Sequence, residues 1–545
     1  MSHARWRAAL RQLNAPRSRI VPSRNHILTR YRSTFNKPPT RVEHLQSRFP
    51  TKTVTFLLAL GAAAYYFDIF EIQFGDHWTN HLDTGDGLPF HFYKTVEDLD
   101  QWLALAPGFG EWITNPEAQA LIMEKLSLET GFTMTEKEAV DADIPVTHGV
   151  RFGGNYPCED FYALGTSPGP GAQKWSFWGV FDGHAGWSTS SMLQMKLIPY
   201  VSRALSTLQE SSSPFAIANS IAEAFTRLDS EIMTTAKQMA SWHPPASAGA
   251  IAALAPALSG SCALLACFDP NSSKLRVACT GDSRAVLGRW DPVKKKYIAK
   301  PLSVDQTGYN QSEIDRLTKE HPDEPDMIDP SSGRLLGFEI TRAFGDHRLK
   351  WDNELIKQIQ YKFWGTAPRP NSKTPPYATA EPVITETEIA RGDDAGSGEA
   401  KADFMILASD GLWNLMSSEH AVELVHLWLE ARERGNGKVT NDPQRPRIPI
   451  PGRQDIIEPG VEYDVEGKKE TTWKAESKYD LIDDDNAAIC LLKNAWGGSR
   501  LGLVLGIWAM NGPRRRMAVD DTTILVVFFD RARGKVKKEK KGWFW

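Results

Sequence analysis

Two short strings far apart in the chain, FDGHAG around Asp182 and ASDGLW around Asp410, each set an Asp-Gly pair directly after an apolar, strand-like run. This pattern puts acidic side chains at the ends of buried strands. Further carboxylates recur in comparable settings: Glu159 and Asp160 in CEDFY, Asp282 in CTGDSR, and Asp520 and Asp521 in VDDTTILVVFF. Converging carboxylates repel one another unless they are protonated or bridged by cations, and an oxygen-only donor set favours Mg²⁺ or Mn²⁺ over zinc or copper. The simplest chemical use of such a set is a hard-metal site. Taken singly, each signal is weak, because an isolated Asp-Gly is usually a turn. GDSR also reads as a hairpin turn between Val277 and Leu287, with Asp282 tying its own backbone.

The segments that must position these residues alternate between strand and helix patterns. KWSFWGVF, GSCALLACF, KLRVACTGDSRAVLGRW, ADFMILAS and TTILVVFF read as strands, several of them apolar on both faces. Residues 214–240 read as a helix, because Ile217, Ile221, Ala224, Phe225, Leu228 and Ile232 share one face. Further helices fit residues 188–208, 311–319, 418–431 and 484–494. Buried strands with helices between them imply sheets covered by helices.

The chain has 545 residues, room for one large domain with appendages or for two ordinary domains. Its 41% hydrophobic and 24% charged content is that of a soluble globular protein, and a net charge of -4 argues against nucleic acid as the main partner. The five cysteines, Cys158, Cys262, Cys267, Cys279 and Cys490, lack CxxC spacing and read as reduced thiols in or near the core.

Residues 1–52 are rich in arginine, serine and alanine, and Glu43 is the only acid before Lys52. That is the composition of a mitochondrial transit peptide, the alternative being a disordered basic tail. The apolar run at residues 54–67, within a segment 53–68, reads either as a short membrane anchor, or as a buried helix or part of a cleaved presequence. An anchor with basic residues before it would leave the N-terminus in the matrix and the rest of the chain in the intermembrane space. Residues 69–146 form a lead-in expected to pack on a domain spanning residues 147–530. Within that domain, residues 432–483, rich in Pro, Gly and charge, read as a surface insertion, and residues 531–545 are a basic tail.

FDGHAG, SGSCA, GDSRAVL, TRAFGDHRLKW, ASDGLW and DDTTILVV, in this order and at this spacing, closely resemble the metal-dependent protein Ser/Thr phosphatases of type 2C, the PPM family. Within that family, the EHP at residues 320–322, TRAFGDHRLKW and DDDNAAICLLKNAWGG look most like the mitochondrial pyruvate dehydrogenase phosphatases. The resemblance implies an α+β layered sandwich, two central, mainly antiparallel β-sheets flanked by α-helices. It also implies hydrolysis of phosphoserine or phosphothreonine by a water that two Mg²⁺ or Mn²⁺ ions activate, with the pyruvate dehydrogenase alpha subunit as substrate. Carried across by position, Asp182 would bridge the two ions, with Asp410 and Asp520 completing one site. Glu159 and the Gly183 carbonyl would serve the other, and Asp160 would hold metal-bound water. Asp282 matches a position associated with a weaker third ion. His184 would protonate the leaving oxygen, or else orient its neighbours.

The chemistry fits these roles. A phosphomonoester dianion repels hydroxide and departs as a poor alkoxide, so catalysis needs positive charge, a nucleophile and a proton. Paired divalent ions supply the first two, and a histidine supplies the third, typically giving ~10² to 10⁴ in rate. No protein nucleophile is needed, in keeping with the lack of a CxxxxxR motif. Arg342 and Asp346 of TRAFGD are read as shaping the site rather than as catalytic.

Two positions depart from the common family pattern. Asn155 stands where many relatives carry a phosphate-binding arginine, which leaves Arg151 as a weak substitute, and Asn414 stands where many carry another acid. The second change should weaken a third metal site. The competing class is a non-catalytic relative that binds a phosphoprotein; a further alternative is an active phosphatase facing the intermembrane space, with a different substrate.

Overall fold

The computed structural model describes residues 130–392, 401–435, 474–510 and 512–530. Strands that are apolar on both faces need cover on both sides, and the layering follows from that requirement. Gly131–Thr133 (β1), Val146–Phe152 (β2), Arg284–Asp291 (β9), Lys296–Pro301 (β10), Phe404–Ala408 (β15) and Thr522–Phe528 (β16) form one six-stranded sheet in the order β1-β2-β16-β15-β9-β10. Phe161–Pro168 (β3), Lys174–Phe181 (β4), Ala263–Asp269 (β7), Lys274–Thr280 (β8) and Val383–Glu388 (β14) form a second, ordered β14-β8-β7-β4-β3. Every pairing in both is antiparallel. Gly183–His184 (β5), Gly260–Ser261 (β6) and Phe344–Gly345 (β13) make a small ladder, and Ile328–Asp329 (β11) pairs with Arg334–Leu335 (β12).

Side-chain alternation along the strands sorts the core into three layers. Trp178 and Val180 of β4 meet Met405 and Leu407 of β15 and Leu525 and Val527 of β16 between the sheets. The alternate residues Phe177 and Phe181 turn outward in a second layer. There they meet helices Ser188–Leu205, Pro214–Trp242 and Ala248–Leu258, which with Glu136–Ala142 before them are α2, α3, α4 and α1. On the other flank, Ile406, Ile524 and Val526 pack against Ala421, Val425, Trp428, Leu491 and Trp508. The intervening helices are α5 (Gln311–Glu320), α6 (His347–Lys350), α7 (Asn353–Phe363) and α8 (Asp410–Trp413). They are followed by α9 (Ser418–Arg434), α10 (Ala487–Ala495), α11 (Leu501–Ala509) and α12 (Gly512–Arg516). The chain is thus the α+β sandwich of two antiparallel sheets between helices that the sequence implied.

Local chemistry sets the element ends. Ser213 caps α3 through a bond from Ala216 N–H, with Pro214 at the first helical position, where its missing donor costs nothing. Asn486 accepts from Ala488 and Ile489 to start α10, later than the expected residue 484, because Asp484 is drawn instead to Lys493 at 2.6 Å. Helices α4 and α11 carry no polar stripe and so give no amphipathic signal in the sequence. The hairpin reading of GDSR does not hold: β8 pairs in one sheet and β9 in the other, so the chain crosses between sheets there.

All five cysteines are free thiols and four of them are buried. The basic N-terminal segment, the apolar run at residues 54–67, most of the lead-in and of the 432–483 insertion, and the tail at 531–545 lie outside the described residues. Among the described residues no helix is long and apolar enough to cross a membrane.

His148 of β2 is fully enclosed: its Nδ1 accepts from Ala487 N–H at 3.1 Å and its ring meets the edges of Trp428 and Phe528. Burial, helped by the charge of Arg432, pushes its pKa down to about 3. Below the ordinary value near 6.5 the unfolded chain takes up this proton and the folded chain does not, so stability falls with pH until about 3. A His148→Gln variant should therefore lose about 2 kcal/mol less stability than wild type between pH 7 and pH 5, measured by urea unfolding.

Candidate active site

In an antiparallel sheet the C-terminal end of one strand lies beside the N-terminal end of its neighbour, and this gathers the acidic residues. Phe181 at the end of β4 pairs with Phe161 at the start of β3, bringing Asp182 beside Glu159 and Asp160. Ala408 at the end of β15 pairs with Ile524 on one side and Arg284 on the other, bringing Asp410 beside Asp520, Asp521 and the Asp282 crossover. The intersheet layer then sets these two groups at the same end of the sandwich. Asp410 N–H points to Asp182 Oδ2 at 3.4 Å, and ligand atoms of Asp182, Cys262 and Asp282 lie within 4.8 Å of one another.

Hydrogen bonds lock the loops between the sheets. Ser409 Oγ donates to Asp160 Oδ2 at 2.7 Å and accepts from Thr523 N–H at 2.9 Å. Asp521 accepts from the backbone N–H of Asn155 at 2.7 Å and of Glu159 at 2.6 Å. Glu159 Oε1 in turn accepts from Gly186 N–H at 2.8 Å. Both Asp-Gly pairs prove to be points of close approach: a Cβ on Gly183 would strike the Glu159 carbonyl and Ser190 Oγ, and one on Gly411 the Asp521 carbonyl and Thr522 Oγ1. Glycine is required because backbone meets backbone there.

This crowding disfavours negative charge. Burial, then the charges of Asp410, Asp160, Asp282 and Asp520, raise the Asp182 carboxyl well above its ordinary range. Burial, followed by neighbouring acids, pushes Asp410 and Asp520 up to about 7, and Asp282, mainly by burial, up to about 6. Asp160 is raised strongly by burial and by Asp521, and its Oδ1 is enclosed without a hydrogen-bond partner. Carboxylates held together against their repulsion, with a buried oxygen left over, suit hard divalent cations, which reverse the local sign of charge. Glu159, Asp182, Asp410 and Asp520, with the Gly183 carbonyl, could hold such ions. Asp282 sits beside them with Cys262 Sγ donating to its Oδ1 at 3.2 Å.

Every residue singled out in the sequence as a site candidate lies at this end. Asp346, set aside there, also belongs: its Oδ2 meets His184 Nε2 at 2.8 Å. Burial alone would lower the His184 pKa, but Asp346, with Asp282 and Glu159, outweighs it and the net shift is upward. The only sequence signal was its place in TRAFGD. Arg342 donates through Nε and Nη2 to Glu313 Oε1 and through Nη1 to the Glu381 carbonyl, a structural role. Arg151 is turned away from the site toward the carbonyls of Asp160 and Cys158, over the Phe161 ring. Asn414 Nδ2 donates to Asp410 Oδ2 at 3.0 Å and contributes no charge.

The protein phosphatase 2C family model matches residues 154–445. A protein phosphatase 2C homolog of Schizosaccharomyces pombe is 38% identical over 386 residues, 69% of this chain and 78% of that protein. The mitochondrial pyruvate dehydrogenase (acetyl-transferring) phosphatase 1 of Saccharomyces cerevisiae is 34% identical across 65% of this chain and 62% of its own length. Phosphatase 2 of the same description from Homo sapiens is 32% identical across 50% of this chain and 48% of its own. The chain thus matches less than two thirds of the length of these two pyruvate dehydrogenase phosphatases. Ordered motifs, an antiparallel sandwich and a family match over more than half the chain lead to one assignment: the chain belongs to the protein phosphatase 2C family of protein serine/threonine phosphatases.

Proposed function

We propose that this chain is a Mg²⁺- or Mn²⁺-dependent phosphatase that removes phosphate from serine or threonine of the mitochondrial pyruvate dehydrogenase alpha subunit. The observation that carries the catalytic reading is the meeting of Asp182, Asp410, Asp520 and Glu159 beside a histidine that is paired with a buried aspartate. The substrate and the mitochondrial location draw support from the relatives named for that enzyme and from the transit-like N-terminus.

When bound, the paired ions would supply positive charge at the phosphoryl oxygens and a nucleophile at neutral pH. Asp182, between the two groups of acids, would hold both ions, with Asp410 and Asp520 on one side and Glu159 and the Gly183 carbonyl on the other. Asp160, whose Oδ1 has no protein partner, would orient water. His184, 30% of whose side chain is exposed, would pass a proton to the departing serine or threonine oxygen. Asp346 would keep the ring oriented and its charged form favoured. Asp282 would serve a third, weaker ion.

Asp182→Asn should lower kcat/KM on a phosphopeptide by about 10³-fold or more, roughly 4 kcal/mol in the barrier. It should also abolish the rise in Tm that Mn²⁺ gives the wild type. Near-normal turnover together with a retained Tm rise would refute the bridging role. His184→Ala and Asp346→Asn should both slow hydrolysis of a seryl phosphate about 10²-fold, and of an activated aryl phosphate much less. Equal losses on both esters would remove the proton-donor role. Purified protein with Mn²⁺ should dephosphorylate the phosphorylated pyruvate dehydrogenase alpha subunit at least about tenfold faster than an unrelated phosphoprotein. Equal rates would leave the phosphatase and overturn its substrate.

A further inference from the structure

A phosphoryl dianion approaching this end of the sandwich meets carboxylates on all sides, and on the loop that carries Glu159 the chain has Asn155. That side chain carries no charge and is already spent, its Nδ2 donating to Asp521 Oδ2 at 3.2 Å. Three arginines on the surrounding segments are committed as well. Arg151 serves the Asp160 and Cys158 carbonyls. Arg515 serves the carbonyls of Gly153 at 3.0 Å and Met510 at 2.6 Å and covers the Phe152 ring. Arg284 grips Asp305 through two nitrogens.

Arg516 differs. It is the last residue of α12, and the turn that follows, closed by bonds from Ala518 and Val519 N–H to the Arg515 carbonyl, leads directly to Asp520. One guanidinium nitrogen, Nη1, meets Asp520 Oδ2 at 2.7 Å, while Nε and Nη2 have no described partner and 47% of the side chain is exposed. That contact sets its guanidinium against one of the acids gathered at this end of the sandwich. An exposed pair of this kind is weak and is readily exchanged for a better anion. Once a cation claims the Asp520 carboxylate, the planar fork of the guanidinium can offer two parallel N–H donors to phosphate oxygens.

We propose that Arg516 binds the phosphoryl group of the substrate. This role rests on the phosphatase reading of the site. A charge-assisted hydrogen bond lost from an anion is worth about 1.5 to 3 kcal/mol, a tenfold effect or more on affinity.

The test uses the full chain with Mn²⁺ and inorganic phosphate as probe. In Arg516→Ala, the inhibition constant for inorganic phosphate and the KM for a phosphopeptide should each rise about tenfold or more. Arg516→Lys should retain part of the affinity, because it keeps the charge and loses the fork. Half-saturating Mn²⁺ should stay within about twofold of wild type, and adding Asn155→Arg to Arg516→Ala should restore phosphate inhibition. Lys474→Ala is the control, since that ammonium caps the Asn414 carbonyl on the neighbouring segment and should leave phosphate inhibition unchanged. An unmoved phosphate inhibition constant, or a loss explained wholly by a higher Mn²⁺ requirement, overturns the role of Arg516 and leaves it a brace for Asp520. A wild type inert toward phosphopeptide with Mn²⁺ would instead sink the phosphatase reading and this role with it.

Discussion

The mutual repulsion of buried carboxylates is the constraint around which this molecule is arranged. Asp160, Asp182, Asp282, Asp410 and Asp520 each have their charged form disfavoured by burial, and most also by one another. Left alone, such a group would take up protons or drift apart. It stays together because its members are attached to strands that cannot separate. Trp178, Val180, Leu264, Met405, Leu407, Leu525 and Val527 are fully buried between the sheets. Each such side chain contributes roughly 1.5 to 3 kcal/mol of burial, and this layer opposes the repulsion at its rim.

Holding the sheets together is not enough, because the acids lie on loops, and loops move unless their polar groups are tied. The ties here are short and cross from one sheet to the other. Ser409, next to Asp410, reaches Asp160, next to Glu159, and Asp521, next to Asp520, reaches the Glu159 backbone. Glu159, Asp410 and Asp520 each therefore have a sequence neighbour that acts as a strut to the opposite sheet. Gly183 and Gly411 let the backbones close to the distance these struts need.

Much of this was legible in the sequence, for identifiable reasons. Strands such as β4, β15 and β16 declare themselves by unbroken apolar runs, and the acids declare themselves by standing at the ends of those runs. Helices α2, α3 and α9 show an apolar stripe, whereas α4 and α11 are apolar nearly all round and have none to show. GDSR also admits a hairpin reading, which fails because local sequence specifies a turn but not which sheet the next strand will join. Asp346 was passed over because nothing near it in the chain points to His184, 162 residues away; only the β13-β6-β5 ladder brings them together.

The same logic explains why adjacent identical residues differ in role. Asp520 and Asp521 stand side by side before β16, yet successive residues of an extended segment point to opposite sides. Asp521 is buried, and its two oxygens are taken by the N–H groups of Asn155 and Glu159 and the Asn155 amide, which leaves it little capacity for a cation. Asp520 is partly exposed and, among the described residues, meets Arg516 and the N–H of Asp521. One aspartate thus braces the loop that carries Glu159, while the other remains available at the centre. Asn155 belongs to the bracing half of this division: its backbone N–H and its side-chain amide both serve Asp521, and a longer, charged side chain there would have to give up the amide contact. The phosphate-binding cation is then better placed on the opposite side of Asp520, on the segment that ends α12.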